Sequence, residues 1–150
     1  MKKITLLVLL ALILTACTAG GGTELSRNQS KWRDANITHY TFELNVGCFC
    51  VFRSLMPVKV EVQNGGVVSA TDVNGNAISL TDPNSEFFLK YATIDRLFSE
   101  LESDPVQNAD KLTVSYDPTY GFPKEVSIDF IEQAADDELY LSVSGFEALP

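Results

Sequence analysis

From residue 40 the chain alternates. Tyr40, Phe42, Leu44, Val46, Cys48, Cys50 and Phe52 occupy successive even positions, with Thr41, Glu43, Asn45 and Gly47 between the first of them. Alternate side chains of a strand share one face. The pattern therefore predicts a first strand whose buried even face carries both cysteines. After Pro57, Val58, Val60 and Val62 alternate with Lys59, Glu61 and Gln63 in a second strand. Asn64-Gly65 then marks a tight hairpin, and Gly66 to Thr71 return as a third strand. Later the same period recurs three times, at Leu112-Val114-Tyr116, Val126-Ile128-Phe130 and Leu139-Leu141-Val143.

Two segments follow a helical period instead. Residues 24–37 are polar, with a sparse apolar stripe at Leu25, Trp32 and Ala35, and Trp32 is the expected core anchor. Ile94, Leu97, Phe98 and Leu101 are spaced i, i+3, i+4, i+7. Thr93 is placed to cap that helix, Asp95 sits in its first turn, and Asp104-Pro105 is expected to stop it. "DVNGNAISLTDPN" reads as a turn-rich linker between the halves.

The order is helix and three strands, twice, with Pro57 and Pro123 before the middle strands. This predicts an α+β fold: two αβββ units forming a mainly antiparallel six-stranded sheet with two helices on one face. The opposite face would be open and polar, carrying Thr41, Glu43, Lys59, Glu61, Thr113, Ser115, Ser127, Asp129 and Ser142.

The beginning of the chain changes where this domain is expected to sit. Lys2 and Lys3 precede an uncharged apolar run from Ile4 to Leu14, too short for a membrane span and suited to a signal peptide. Leu14-Thr15-Ala16-Cys17 resembles the lipobox of bacterial lipoproteins. The resemblance implies lipidation of Cys17 and cleavage before it, so residues 1–16 are a signal peptide. Several acyl chains would hold the protein stably, since each buried CH₂ contributes about 0.8 kcal/mol. Thr18 follows the cysteine, which would favour the outer membrane, facing the periplasm, in a Gram-negative host. Residues 17–23 form a Gly-rich tether, and 24–150 a single α+β domain.

Composition narrows the partners. The formal net charge is −9, and loss of Lys2 and Lys3 leaves 9 basic against 20 acidic residues. Without a basic cluster, nucleic acid is excluded as a partner class. The membrane, through Cys17, and an envelope protein are the expected partners.

With Cys17 lipidated, Cys48 and Cys50 remain as an even pair in an oxidising compartment. In an extended strand their Cα atoms would lie about 6.6 Å apart, at the upper edge of disulfide reach. A bridge would need a bend, which Gly47 could permit. Three readings stay open: a disulfide, two small buried core residues, and a thiol redox or Cu(I) pair. Zinc has little support, as His39 is the one histidine.

Other motifs fail. Asp72, Asn74 and Asn76 fit the first three ligand positions of an EF-hand, but Ala77 and Pro83 stand where glycine and glutamate are needed. "ADDE", 135–138, reads as a solvated acidic hairpin tip. A phosphate loop, a zinc-protease helix and a Ser-His-Asp constellation are all missing, so no enzyme, catalytic residue or cofactor is expected.

"W…ITHYTFEL…CFC…PVKVEVQNGGV…TIDRLF…LTVSYDPTYGFPKEVSID" resembles a family of uncharacterised bacterial lipoproteins, domain of unknown function DUF6174. The resemblance implies no activity or cofactor. It does single out Cys48-Phe49-Cys50 and "YDPTYGFP", 116–123, to be tested together. In the second token Asp117 starts a turn, Tyr120 is expected to project from its tip, and Gly121 permits a positive φ before Phe122. Asp117, Tyr120 and Phe122 thus form a candidate recognition loop. The expected function is a non-enzymatic binding or assembly accessory using that loop or the open sheet face, with thiol redox or Cu(I) handling at the cysteine pair as the alternative.

Overall fold

The computed structural model describes residues 23–150. The expected signal peptide, residues 1–16, and the expected lipidation site, Cys17, lie outside the described residues. Six antiparallel strands form one sheet: β1 (His39–Gly47), β2 (Val58–Gln63), β3 (Gly66–Thr71), β4 (Lys111–Tyr116), β5 (Pro123–Asp129) and β6 (Leu139–Ala148). Their spatial order is β3-β2-β1-β6-β5-β4. Each helix-and-three-strand unit is a meander, and the two join where β1 pairs with β6. The first unit runs outward from that seam and the second runs inward to it.

Helix α1 (Glu24–Ala35) begins at Thr23, whose Oγ1 accepts the Ser26 N–H at 3.2 Å, and ends at Asn36 in the left-handed region. The crossover between the units holds α2 (Glu86–Leu89), α3 (Ile94–Leu101) and α4 (Asp104–Gln107). Thr93 caps α3 as expected, accepting the Arg96 N–H at 3.1 Å. Ile94, Leu97, Phe98 and Leu101 are all buried. Each contributes about 1.5–3 kcal/mol by leaving water. Tyr40 reaches up from β1, and its hydroxyl accepts the Ile94 N–H at 3.1 Å. Burial pushes the Tyr40 hydroxyl pKa far up, so it stays neutral. Pro105 does more than end a helix. It sits in the first turn of α4, where its missing N–H costs nothing.

The even face of β1 is buried from Tyr40 to Val46, along with Val58, Val60 and Val62 of β2. Trp32 anchors α1 in an aromatic cluster, 5.4 Å from Tyr40 and 5.9 Å from Phe146. Phe146 reaches that cluster through a bulge. Gly145 takes φ +57, the β1–β6 register shifts, and the core-facing position of β6 passes from odd, as at Val143, to even at the half-buried Phe146. The hairpin at Asn64-Gly65 has φ of 51 and 77, the two positive values a tight turn requires.

One expectation is corrected here. The first strand does not continue through Cys48 and Cys50; it ends at Gly47. The last β2 partner along β1 is Leu44, opposite Val58, and the last β6 partner is Gly47, opposite Tyr140. Beyond Gly47 the backbone has no strand on either side to receive its hydrogen bonds, so it turns.

Candidate functional site

The turn after β1 builds the site. The Cys50 N–H donates to the Cys48 oxygen at 2.9 Å, and the Leu55 N–H to the Phe52 oxygen at 2.9 Å. This tight path brings Cys48 and Cys50 together as a close pair with Cα atoms 5.2 Å apart. Both are half-buried against the core edge. Phe52 turns inward and packs on Phe88, ring centroids 5.8 Å apart. Phe49 and Val51 turn outward and are 85% and 84% exposed.

An open groove of about 410 Å³ lies beside this turn. Its apolar surface comes from Phe49, Phe52, Phe87, Tyr91 and Phe130, and both cysteines line it. Phe87 and Phe88 are neighbours on the single turn of α2, so they face apart: Phe88 enters the core and Phe87 remains largely exposed. Glu100, Asp136, Asp137 and Glu138 bring four carboxylates to the groove against one ammonium, Lys90. The Lys90 Nζ lies 4.5 Å from the centroid of the Tyr91 ring. A second hollow on the Cys48-Phe49 turn is lined by Asp136 and Glu138 together with Arg53.

Asp136, Asp137 and Glu138 sit on the β5–β6 connection, and Glu100 comes from α3. Asp137 Oδ2 accepts the Ile131 N–H at 2.8 Å, and Asp110 Oδ2 accepts the Glu132 N–H at 3.0 Å. Asp129, at the base, has its pKa raised, first by partial removal from water and then by the charges of Asp137, Glu138 and Glu132. Carboxylates at this end of the sheet outnumber the cations beside them, Lys90 and Arg53.

Asp117, Tyr120 and Phe122 lie at the other end. The Asp117 carboxylate is held inside its own turn, accepting the Thr119 N–H at 2.9 Å and the Tyr120 N–H at 2.7 Å. Phe122 is buried, 4.7 Å from Phe146. Tyr120 does not project from the tip as expected; it is half-buried, with its ring 5.5 Å from that of Phe146. Gly121, at φ +79, lies so close to α1 that a Cβ there would come within 2.6 Å of the Asn28 carbonyl oxygen. Lys31 Nζ donates to the Pro118 carbonyl. Phe146 pairs near Tyr40 at the start of β1, whereas the cysteines follow its end. The two tokens are separated by most of β1, about 23 Å at ordinary strand rise.

His39 is engaged in structure. Its Nε2 lies 2.9 Å from Glu61 Oε1 and its Nδ1 3.1 Å from the Pro150 oxygen. Two acceptors favour the doubly protonated ring, so the His39 pKa is raised, chiefly by the Glu61 hydrogen bond. Asp72 spends its carboxylate on its own turn, accepting from the Asn74 and Asn76 backbones at 2.9 and 2.8 Å. Among the described residues, no group of three or more His, Cys, Asp or Glu side chains could hold a metal ion. Nor is any described helix long and apolar enough to cross a membrane.

The sequence marked Cys48, Cys50 and the 135–138 tip separately, without a signal that they adjoin. Phe87 and Glu100 come from the crossover, and only the fold brings them to the groove. Comparison with curated proteins and with solved structures finds no match. A family model matches residues 24–148, nearly all of the described chain, and the protein belongs to that family, the Family of unknown function (DUF6174).

Proposed function

We propose that this protein is an envelope lipoprotein, anchored through Cys17, that binds a partner without chemical turnover, and that the groove beside Cys48-Phe49-Cys50 is its binding surface. The supporting observation is the exposure of Phe49, Val51 and Phe87 at one end of the sheet, two of them lining the groove. Apolar side chains gathered at an open concavity are costly in water and suit a contact surface. The open sheet face is polar, and the hollow beside the 117–123 loop is smaller, about 220 Å³, with Tyr120 and Phe122 already packed on Phe146, so neither offers comparable anchors.

A photo-crosslinking residue introduced in living cells at position 49, 119 or 127 separates the three surfaces. An adduct from 49 alone is expected. Adducts from 119 or 127 with none from 49 would move the binding surface to the loop or to the open sheet face.

A second reading has its own observation: the close cysteine pair lines the same groove. In that reading Cys48 and Cys50 form a disulfide that a partner dithiol reduces, becoming oxidised in turn, or the reduced pair holds Cu(I). Counting free thiols in protein exported to a periplasm tests it. The Cys48→Ser/Cys50→Ser double variant would then lose function with its fold intact.

A further inference from the structure

Resting on the binding reading above, we infer that the groove takes a basic, amphipathic protein segment, one that sets an aliphatic or aromatic side chain against Phe49 and Phe87 while lysine or arginine meets the carboxylates of Glu100, Asp136 and Glu138. Charge complementarity selects this occupant. The apolar surface is bordered by four carboxylates and only one ammonium. Lys90 is itself occupied over the Tyr91 ring, and Arg53, which shares the adjoining hollow with Asp136 and Glu138, offsets only part of their charge, so carboxylates remain in excess. An acidic or purely apolar segment would leave these carboxylates desolvated and unpaired, which is unfavourable. A cationic one exchanges their mutual repulsion for attraction. An anionic membrane surface is disfavoured on the same ground.

The turn also prepares Phe49 for contact. The Cys50 N–H to Cys48 oxygen bond and the close cysteine pair fix the backbone on both sides of it. Less backbone freedom is then lost on binding. An exposed aromatic side chain carried on a constrained backbone beside a groove has the character of an interface anchor.

The probes are three short fluorescein-labelled peptides: lysine–leucine, glutamate–leucine and lysine–serine. They are titrated against the full chain as its host exports it, held in nanodiscs of zwitterionic lipid. The lysine–leucine peptide should bind, and the other two at least about tenfold more weakly, since hot-spot truncations cost a factor of that order. Phe49→Ser should weaken lysine–leucine binding about tenfold, and with Phe49 so exposed the fold should be unchanged by circular dichroism. Asp136→Asn/Glu138→Gln should weaken it at low salt and flatten its salt dependence. Equal binding to wild type and Phe49→Ser would mean non-specific attraction to an acidic protein and would overturn the inference. Equal binding of the glutamate–leucine peptide would do the same. The crosslink from position 49 keeps the two readings apart. A partner captured there through an acidic surface leaves the binding reading standing and removes this one. A phospholipid adduct removes this one too, and no adduct removes both.

Discussion

Gly121 and Gly65 form a matched pair that isolates one packing contact. Their φ values are +79 and +77, so an alanine at either suffers the same backbone penalty. That penalty is about 1–2 kcal/mol for a residue with a Cβ in the left-handed region. The surroundings differ completely. Nothing lies within 4 Å of a Cβ at Gly65, whereas one at Gly121 would meet the Asn28 oxygen at 2.6 Å and Lys31 Cβ at 3.0 Å. Asn28 lies inside α1, where its carbonyl is held by the helical ladder and cannot retreat alone. Relief requires the 117–123 loop to lift from α1, disturbing Phe122 and the Lys31–Pro118 hydrogen bond. Overpacking of this kind costs about 1–3 kcal/mol more. Gly65→Ala should therefore destabilise by about 1–2 kcal/mol and Gly121→Ala by about 2–5 kcal/mol. Equilibrium urea unfolding of both purified variants reads the difference, with unchanged m-values as the control. Equal losses would refute the reasoning, because they would mean the loop yields freely and α1 does not fix it.

Removing the α3 cap with Thr93→Ala should cost about 1 kcal/mol, and Thr93→Ser should recover most of it, read by thermal unfolding. His39 should titrate above 6.5 in a proton NMR titration and return toward 6.5 in Glu61→Gln, because the Glu61 hydrogen bond is the main cause of its raised pKa. Its pairing stabilises the fold fully below pH 6.5 and is lost as pH rises through the folded His39 pKa. The Glu61 pKa is lowered, first by the His39 hydrogen bond, so its share is present above its ordinary 4.5 and lost as pH falls through the folded value. The pair's contribution should thus be greatest between those two ordinary values. If Cys48 and Cys50 are bridged, closing so short a loop restricts the unfolded chain little. The double serine variant should lose at most about 1.6 kcal/mol, and a loss above about 4 kcal/mol would make the bridge a staple for the whole domain.

How much of this was legible in the sequence depended on whether local pattern or distant partners set each element. The α3 stripe, the Thr93 cap, the Asn64-Gly65 hairpin and the even face of β1 are local properties, and the structure has them. The error at Cys48 to Phe52 arose because the period of two runs on after the strand has ended. Side-chain alternation shows which face a strand would bury; it does not show whether neighbours remain to pair with it. β2 and β6 both give out by Gly47, so the chain turns while Phe52 still reaches the core. Phe146 is the opposite case. Its burial depends on the bulge at Gly145, and an isolated glycine inside a strand pattern was a readable signal for it. The groove was not legible, because Phe49, Phe87, Glu100 and Asp136 come from four separate segments.

The two ends of β1 differ in a way that bears on function. At its start, the aromatic and polar groups of the 117–123 loop are spent: Phe122 on Phe146, Tyr120 on the same ring, Asp117 on its own turn, Lys31 on Pro118. Changes there should register as stability, with the Gly121 pair as the measure. Past its end the balance is reversed. Phe49 and Val51 stand in water, and four carboxylates meet one ammonium around an open groove. A folded domain gains little from either feature: exposed apolar groups favour self-association, and clustered like charges repel. Substituting Phe49 should leave stability within about 0.5 kcal/mol, as for ordinary surface positions. A residue whose loss costs the fold nothing but weakens capture of a cationic segment about tenfold is a contact residue. One whose loss unfolds the turn is a structural residue, and Phe49 would then belong with Phe122.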